Sequence, residues 1–242
     1  MTKMLFLDDC YLKEFDATVL SVSDSDKGPG LRIELDQSAF YPESGGQPTD
    51  LGKLIKVDSG DEFVITRVAK ADDKIFHFVD KPGLEPGDKV HGIIDWERRY
   101  LFTRYHTACH ILATIVHETT GAHITGNQIA SDKARVDFDL ENFDRSLIAS
   151  FEEKANALIA DSRPVAILFL SREEAFQIPS LVKLKMALPE HIGTIRIIDI
   201  QGFDQQACAG THVKNTFEVG KIAIQKAENK GKSNRRIYFV LE

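Results

Sequence analysis

Lys89-Val-His-Gly-Ile-Ile-Asp-Trp-Glu-Arg-Arg-Tyr-Leu-Phe-Thr-Arg-Tyr-His-Thr-Ala-Cys-His110 is where the chain changes its period. Lys89–Ile94 reads as a short strand. From Trp96 to Thr120 the apolar residues recur at helical spacing, with Leu101, Tyr105, Ala108, Leu112 and Ile115 forming one stripe. Asp95 stands at the N-cap and Gly121 at the C′ position of that helix. Upstream, the alternating runs Asp16–Val22, Leu31–Leu35, Gly52–Val57, Phe63–Ala69 and Lys74–Val79 are parted by turn-rich stretches, among them Asp26-Lys-Gly-Pro-Gly30 and Asp58-Ser-Gly-Asp61. Short strands this close together suggest a small barrel or a strongly bent sheet. Downstream, a second helix is expected over Glu141–Ala160, buried strands over Pro164–Leu170 and Thr194–Ile200, and a hairpin of Lys221–Lys226 with Arg235–Leu241. The expectation is an α+β chain. A β-barrel-like domain at 1–94 precedes a domain at 95–242 built of antiparallel sheet and long helices.

Of the 242 residues, 43% are hydrophobic and 28% charged, which excludes a disordered or low-complexity chain. Thirty basic against thirty-seven acidic residues give −7. That excludes a generally basic nucleic-acid coat and leaves room for a local basic patch. Cys10, Cys109 and Cys208 are too few and odd in number for a disulfide framework. The sequence has neither a signal-peptide pattern nor an apolar run of the ~20 residues that span a bilayer. A cytoplasmic protein with reduced thiols is expected.

His106 and His110 lie four apart in the expected helix, so both imidazoles leave one face. Cys208-Ala-Gly-Thr-His212 offers a thiolate and a third imidazole beside a glycine. Either half alone is commonplace, and a lone cysteine is more often a small buried hydrophobe. Together they make an N₃S donor set that suits Zn²⁺. A metalloprotease would need Glu directly after the first His, where Thr107 stands. Ala39-Phe-Tyr-Pro-Glu-Ser-Gly-Gly-Gln-Pro-Thr49 places Gly45-Gly46 where backbone N–H groups can approach a ligand, or else it is a tight loop between strands. From Lys221 to Glu242, six basic side chains face two acidic ones. This tip reads as a phosphate-binding patch or as a lysine-protected strand edge.

The chain resembles the alanyl-tRNA editing proteins of the AlaX family, freestanding relatives of the editing domain of alanyl-tRNA synthetase. The resemblance rests on His106-Thr-Ala-Cys-His110, Cys208-Ala-Gly-Thr-His-Val213, Phe40-Tyr-Pro-Glu-Ser-Gly-Gly-Gln47 and Asn234-Arg-Arg236, and it covers nearly the whole chain. The Gly-Gly motif makes it similar to the longer form. The resemblance implies a zinc-containing deacylase acting on tRNA(Ala) that carries serine, and by extension glycine, with no ATP requirement. It implies one Zn²⁺ per chain held by His106, His110, Cys208 and His212. It further implies substrate binding by Ser44, Gly45, Gly46 and Gln47, and assigns 95–242 as the editing domain. Lys230, Lys232, Asn234, Arg235 and Arg236 are the expected tRNA-binding residues. Cys109 and Gly126 depart from the synthetase pattern. Two rival readings are a zinc-stapled RNA-binding module without deacylase activity and a general metal-dependent hydrolase of small esters.

Overall fold

The computed structural model describes residues 2–24, 31–71, 74–140, 145–178, 193–231 and 234–242. The turn expected at Asp26–Gly30, the start of the helix expected at Glu141, and Lys232 lie outside them. Contacts divide the chain into two compact units, Met1–Phe102 and Thr103–Glu242.

In the first unit the strands are β1 (Lys3–Met4), β2 (Glu14–Asp24), β3 (Leu31–Leu35), β4 (Gln37–Ser38), β5 (Gly52–Lys56), β6 (Glu62–Ala71), β7 (Lys74–Val79) and β8 (Lys89–Ile94). Six of them close into a barrel in the order β2-β3-β7-β6-β5-β8, with every neighbouring pair antiparallel. Closure removes the exposed edges that so many short strands would otherwise present. Strict alternation produces it: in β7 Ile75, His77 and Val79 point inward, and in β8 Val90 and Ile94 do. Phe15, Val19, Ile33, Leu35, Phe40, Leu54 and Ile65 fill the interior. Bulges interrupt the pairing of β2 at Val19/Ser21 and of β6 at Ile65/Arg67, where these long strands bend around the barrel. His77 is a satisfied core histidine. Its Nδ1 donates to the Ile33 carbonyl at 3.1 Å and its Nε2 accepts from Ser38 Oγ at 2.7 Å. Burial pushes its pKa down to about 4, so the ring is neutral.

Helix α1 spans Trp96–Thr120, as the periodicity predicts. Asp95 Oδ1 accepts from the Arg98 N–H at 3.2 Å, and Gly121 closes the far end at φ +76°. In the first turn, fully buried Arg99 pairs with both oxygens of Asp50 and donates to the carbonyls of Cys10 and Ala39.

The second unit contains the rest of α1, with β9 (Ile124–Ile129), β10 (Ala134–Phe138), α2 (Arg145–Ala160), β11 (Val165–Ser171), α3 (Arg172–Ala175), β12 (Thr194–Ile200), β13 (Asp204–Ala207), β14 (Ile222–Asn229) and β15 (Arg235–Leu241). The single antiparallel sheet expected here resolves into two: β14-β15-β10-β9 and β11-β12-β13. The predicted hairpin forms, but its first strand runs on to Asn229. Strands β9, β10 and β13 are additions to the sequence reading. On α2, the Asn156 amide bonds both backbone groups of Ile222 at 2.8 Å, and Glu152 accepts from the Ile224 N–H at 2.6 Å. The helix thereby covers the edge of β14.

Ile195 and Ile197 of β12 pack with Ala207 and with Ala175 of α3. On the opposite face of this sheet, Gln206 reaches Thr114 of α1. From Tyr105 to Val116 α1 is buried on every side, so it is a central helix rather than an amphipathic surface one. Its buried polar side chains therefore need partners. No described helix is long and apolar enough to cross a membrane.

Candidate metal centre

Thr103, His106, Thr107 and His110 recur at i, i+3, i+4 and i+7 and form one stripe of α1. Opposite this stripe runs the loop after β13, with Cys208 and His212. The Cys208 sulfur lies 3.5 Å from His106 Nε2 and 3.5 Å from His212 Nε2. The imidazole centroids are 5.4 Å apart for His106–His110, 4.7 Å for His106–His212 and 4.5 Å for His110–His212. One donor atom from each of the four residues falls within 4.8 Å of all the others.

Three contacts hold the loop to the helix. Thr103 and Thr211 hydroxyls meet at 2.8 Å, and the Val213 N–H donates to Thr107 Oγ1 at 3.2 Å. His212 Nδ1 lies 3.1 Å from the same Thr107 oxygen. The Thr107 hydroxyl spends its proton on the Thr103 carbonyl at 3.2 Å, so its oxygen can only accept from His212. That places the His212 proton on Nδ1 and leaves Nε2, the atom facing the sulfur, as a bare lone pair. Gly210 permits the close approach: a Cβ there would stand 2.0 Å from His106 Cε1 and 2.4 Å from its Nδ1. The Gly210 N–H also donates to the Cys208 sulfur at 3.3 Å.

Burial is the largest influence on all three imidazoles, and the positive charge of Arg196 adds to it. His110 is pushed down to about 4, and His106 and His212 well below their usual value. All three are neutral at physiological pH, as ligation requires. The arrangement fits an ion. A tetrahedral ion bound at ~2.0–2.1 Å to nitrogen and ~2.3 Å to sulfur holds N and S about 3.5 Å apart, the separation found at both sulfur contacts. His110 Nδ1 is buried and has no hydrogen-bond partner among the described residues, which a bare protein interior seldom tolerates. The four side chains could hold a metal ion.

Thr103, Thr107, Thr211 and Arg196 are the members of this centre that the sequence reading did not assign. The threonine positions on α1 were legible, since they complete the stripe set by the two histidines. Arg196 had no such signal: its guanidinium donates to the Cys208 carbonyl only because β12 and β13 pair.

Comparison with known proteins gives the family. Residues 195–238 match the family described as the threonyl and alanyl tRNA synthetase second additional domain, and residues 11–98 match the class II (A) tRNA synthetases. The whole chain is 47% identical to the alanyl-tRNA editing protein AlaX-M of Methanosarcina acetivorans, covering 99% of that protein. It is 42% identical to AlaX-M of Saccharolobus solfataricus over that protein's full length. The chain belongs to the AlaX-M family of alanyl-tRNA editing proteins. A further likeness runs to the alanine–tRNA ligase of Pyrococcus furiosus: 38% identity over 98% of this chain and 26% of the ligase.

In this AlaX-M chain the Gly-Gly motif lies in the first unit and is a tight reverse turn. The Ser44 N–H donates to the Gln47 carbonyl at 3.1 Å, and the Gln47 N–H returns the bond at 2.9 Å. Gly45 and Gly46 sit at φ +56° and +79°, as a type I′ turn demands. The amides of Ser44 and Gln47 are thus committed within the turn, and Gln47 is buried. The base of the loop is fixed by Asp50, which accepts from the Tyr41 N–H at 2.6 Å and pairs with Arg99.

The carboxy-terminal hairpin is more neutralised than its composition suggests. Arg235 is buried, and its Nη1 donates to Asn229 Oδ1 at 2.7 Å, to the Gly231 carbonyl at 2.8 Å and to the Asn234 carbonyl at 3.2 Å. Arg236 grips both oxygens of Asp137 at 2.6 and 2.9 Å. Lys226 and Lys230 both pair with Glu228. Asn234 Oδ1 is buried without a partner among the described residues. Arg235 therefore holds the end of the hairpin together, and Arg236 ties the hairpin to β10.

Proposed function

We propose that the chain is a zinc-containing trans-editing deacylase that hydrolyses seryl-tRNA(Ala), with glycyl-tRNA(Ala) as a second substrate. The products are the free amino acid and intact tRNA, the reaction needs no ATP, and its place is the cytoplasm. The observation that carries this reading is the convergence of His106, His110, Cys208 and His212 in a chain of the AlaX-M family. The three neutral imidazoles and one sulfur form a borderline-soft set, which supports Zn²⁺ over harder ions. Held there, zinc supplies a fixed positive charge for orienting the aminoacyl end of the tRNA.

The division of labour follows the residues. Residues 95–242 form the editing domain, and 1–94 bring the substrate-binding turn of Ser44, Gly45, Gly46 and Gln47. The proposed tRNA-binding residues are Lys230, Lys232, Asn234, Arg235 and Arg236, with the lysines as phosphate contacts. The task makes physical sense. A synthetase pocket built for a methyl side chain rejects an analogue with one added hydroxyl by only ~10². A second site that hydrogen-bonds the hydroxyl leaves its own polar groups unpaired with alanine and so spares the correct product.

Incubating the purified protein with seryl-, glycyl- and alanyl-tRNA(Ala) tests the proposal. Loss of the seryl and glycyl esters with alanyl-tRNA(Ala) spared is expected. Inertness toward all three would refute deacylation and favour a zinc-stapled RNA-binding module; equal loss of all three would favour an unselective ester hydrolase.

A further inference from the structure

One helical turn beyond His110 on α1 stands Thr114, and two residues before Cys208 stands Gln206. A helical turn and a two-residue strand step each span about 5–7 Å, so both lie next to the metal cluster on the sides from which its ligands come. Gln206 Nε2 donates to Thr114 Oγ1 at 3.1 Å and to Asp204 Oδ2 at 2.6 Å. Thr114 bonds the Asp204 carboxyl as well, closing a three-membered ring of hydrogen bonds. Nε2 of Gln206 thus directs its NH₂ at Thr114 and at the Asp204 carboxyl, whose pKa burial raises above its ordinary value. Both amide protons are then committed. The remaining polar atom, Gln206 Oε1, has no partner among the described residues, and the side chain is only half-buried. A free glutamine offers a ligand either a donor or an acceptor; this one is set as an acceptor alone.

We propose that Gln206 is a substrate-binding residue for the aminoacyl group. Its Oε1, locked in orientation by Asp204 and Thr114, accepts a hydrogen bond from a donor on the aminoacyl group, either the α-ammonium or the side-chain hydroxyl. This rests on the deacylase reading above. Asp204 and Thr114 are positioning residues that act through Gln206. The sequence pattern is consistent with such a track: 204, 206 and 208 alternate along one side of the chain, and 106, 110 and 114 repeat every four residues along α1.

The test compares kcat/KM on seryl- and glycyl-tRNA(Ala) for the wild-type protein, Gln206→Leu, and the double swap Asp204→Asn with Gln206→Glu. Metal content and melting temperature are measured alongside. The leucine variant removes the acceptor; the swap reverses the amide–carboxylate pair and restores an acceptor oxygen at 206. Expected for Gln206→Leu is a fall of about 10–100-fold at unchanged metal content, with recovery in the swap. A loss confined to the seryl ester marks the hydroxyl as the donor; equal loss on both esters marks the α-ammonium. An inert wild-type protein would overturn the deacylase reading and this inference with it. An active wild type whose leucine variant stays within twofold on both esters would overturn this inference alone. So would a loss that tracks metal content or melting temperature and is not recovered by the swap.

Discussion

Gly210→Ala adds one methyl group where the cysteine loop lies on His106. The new Cβ would start 2.0 Å from Cε1, 2.4 Å from Nδ1 and 2.9 Å from Nε2, whereas non-bonded carbons settle at about 3.5–4.0 Å. Something must give by about 1.5 Å. The ring has little room to do so, because His106 is buried and flanked by His110 and His212. The loop must lift instead, against the Thr103–Thr211 and Thr107–Val213 hydrogen bonds. Overpacking of this kind costs about 1–3 kcal/mol. At about 2–4 °C per kcal/mol for a chain of this size, the melting temperature should drop by about 2–12 °C. Metal binding should suffer more, since Cys208 and His212 ride on the displaced loop. Elemental analysis after dialysis at limiting zinc is expected to show the variant well below the wild-type occupancy. Full metal content together with a wild-type melting curve would refute the packing of the loop against His106.

Arg99→Met strips the partner from buried Asp50 and should cost about 3–5 kcal/mol in urea unfolding, with much of that recovered in the double variant Arg99→Met/Asp50→Leu; an unchanged midpoint for the single variant would contradict the pairing. Gly45→Val forces a β-branched residue to φ +56° in open space, so it should cost about 1–2 kcal/mol of stability while lowering seryl-tRNA deacylation about tenfold or more; equal activity per folded molecule would refute a substrate role for the turn. Burial by itself raises the Asp137 carboxyl, but Arg236 and Arg135 more than offset it and hold it below its ordinary value. A depressed carboxylate stabilises above its unfolded pKa of about 3.9 and loses that contribution as pH falls through the folded value. Asp137→Asn should therefore lose less stability than wild type on acidification from about pH 5 to pH 2, and parallel melting curves would contradict this.

The barrel and α1 were legible because each is governed by a local signal. Lys74–Val79 and Lys89–Ile94 alternate cleanly, since one face of each strand is inside a closed barrel. α1 is long, and Asp95 and Gly121 mark its ends with groups that bond its orphan backbone atoms or adopt positive φ. Strands β9 and β13 lacked such a signal. Ile124-Thr-Gly-Asn-Gln-Ile129 carries a glycine and largely polar side chains, and Asp204-Gln-Gln-Ala207 is polar because one side of it is occupied by the Gln206 hydrogen bonds. The four metal-centre side chains were readable from residue type and spacing. The state of the basic hairpin was not, because it depends on pairing: Glu228 takes up Lys226 and Lys230 within the hairpin, and Asp137 reaches Arg236 only through the β10–β15 pairing. Arg196 beside Cys208 was hidden for the same reason, as strand pairing rather than spacing in sequence brings the two together.

X-ray absorption at the zinc edge of the purified, metal-loaded protein examines the heart of this account. One zinc per chain with three nitrogens at ~2.0–2.1 Å and one sulfur at ~2.3 Å is the expected spectrum. A metal shell without sulfur, or the same spectrum in Cys208→Ser, would contradict it.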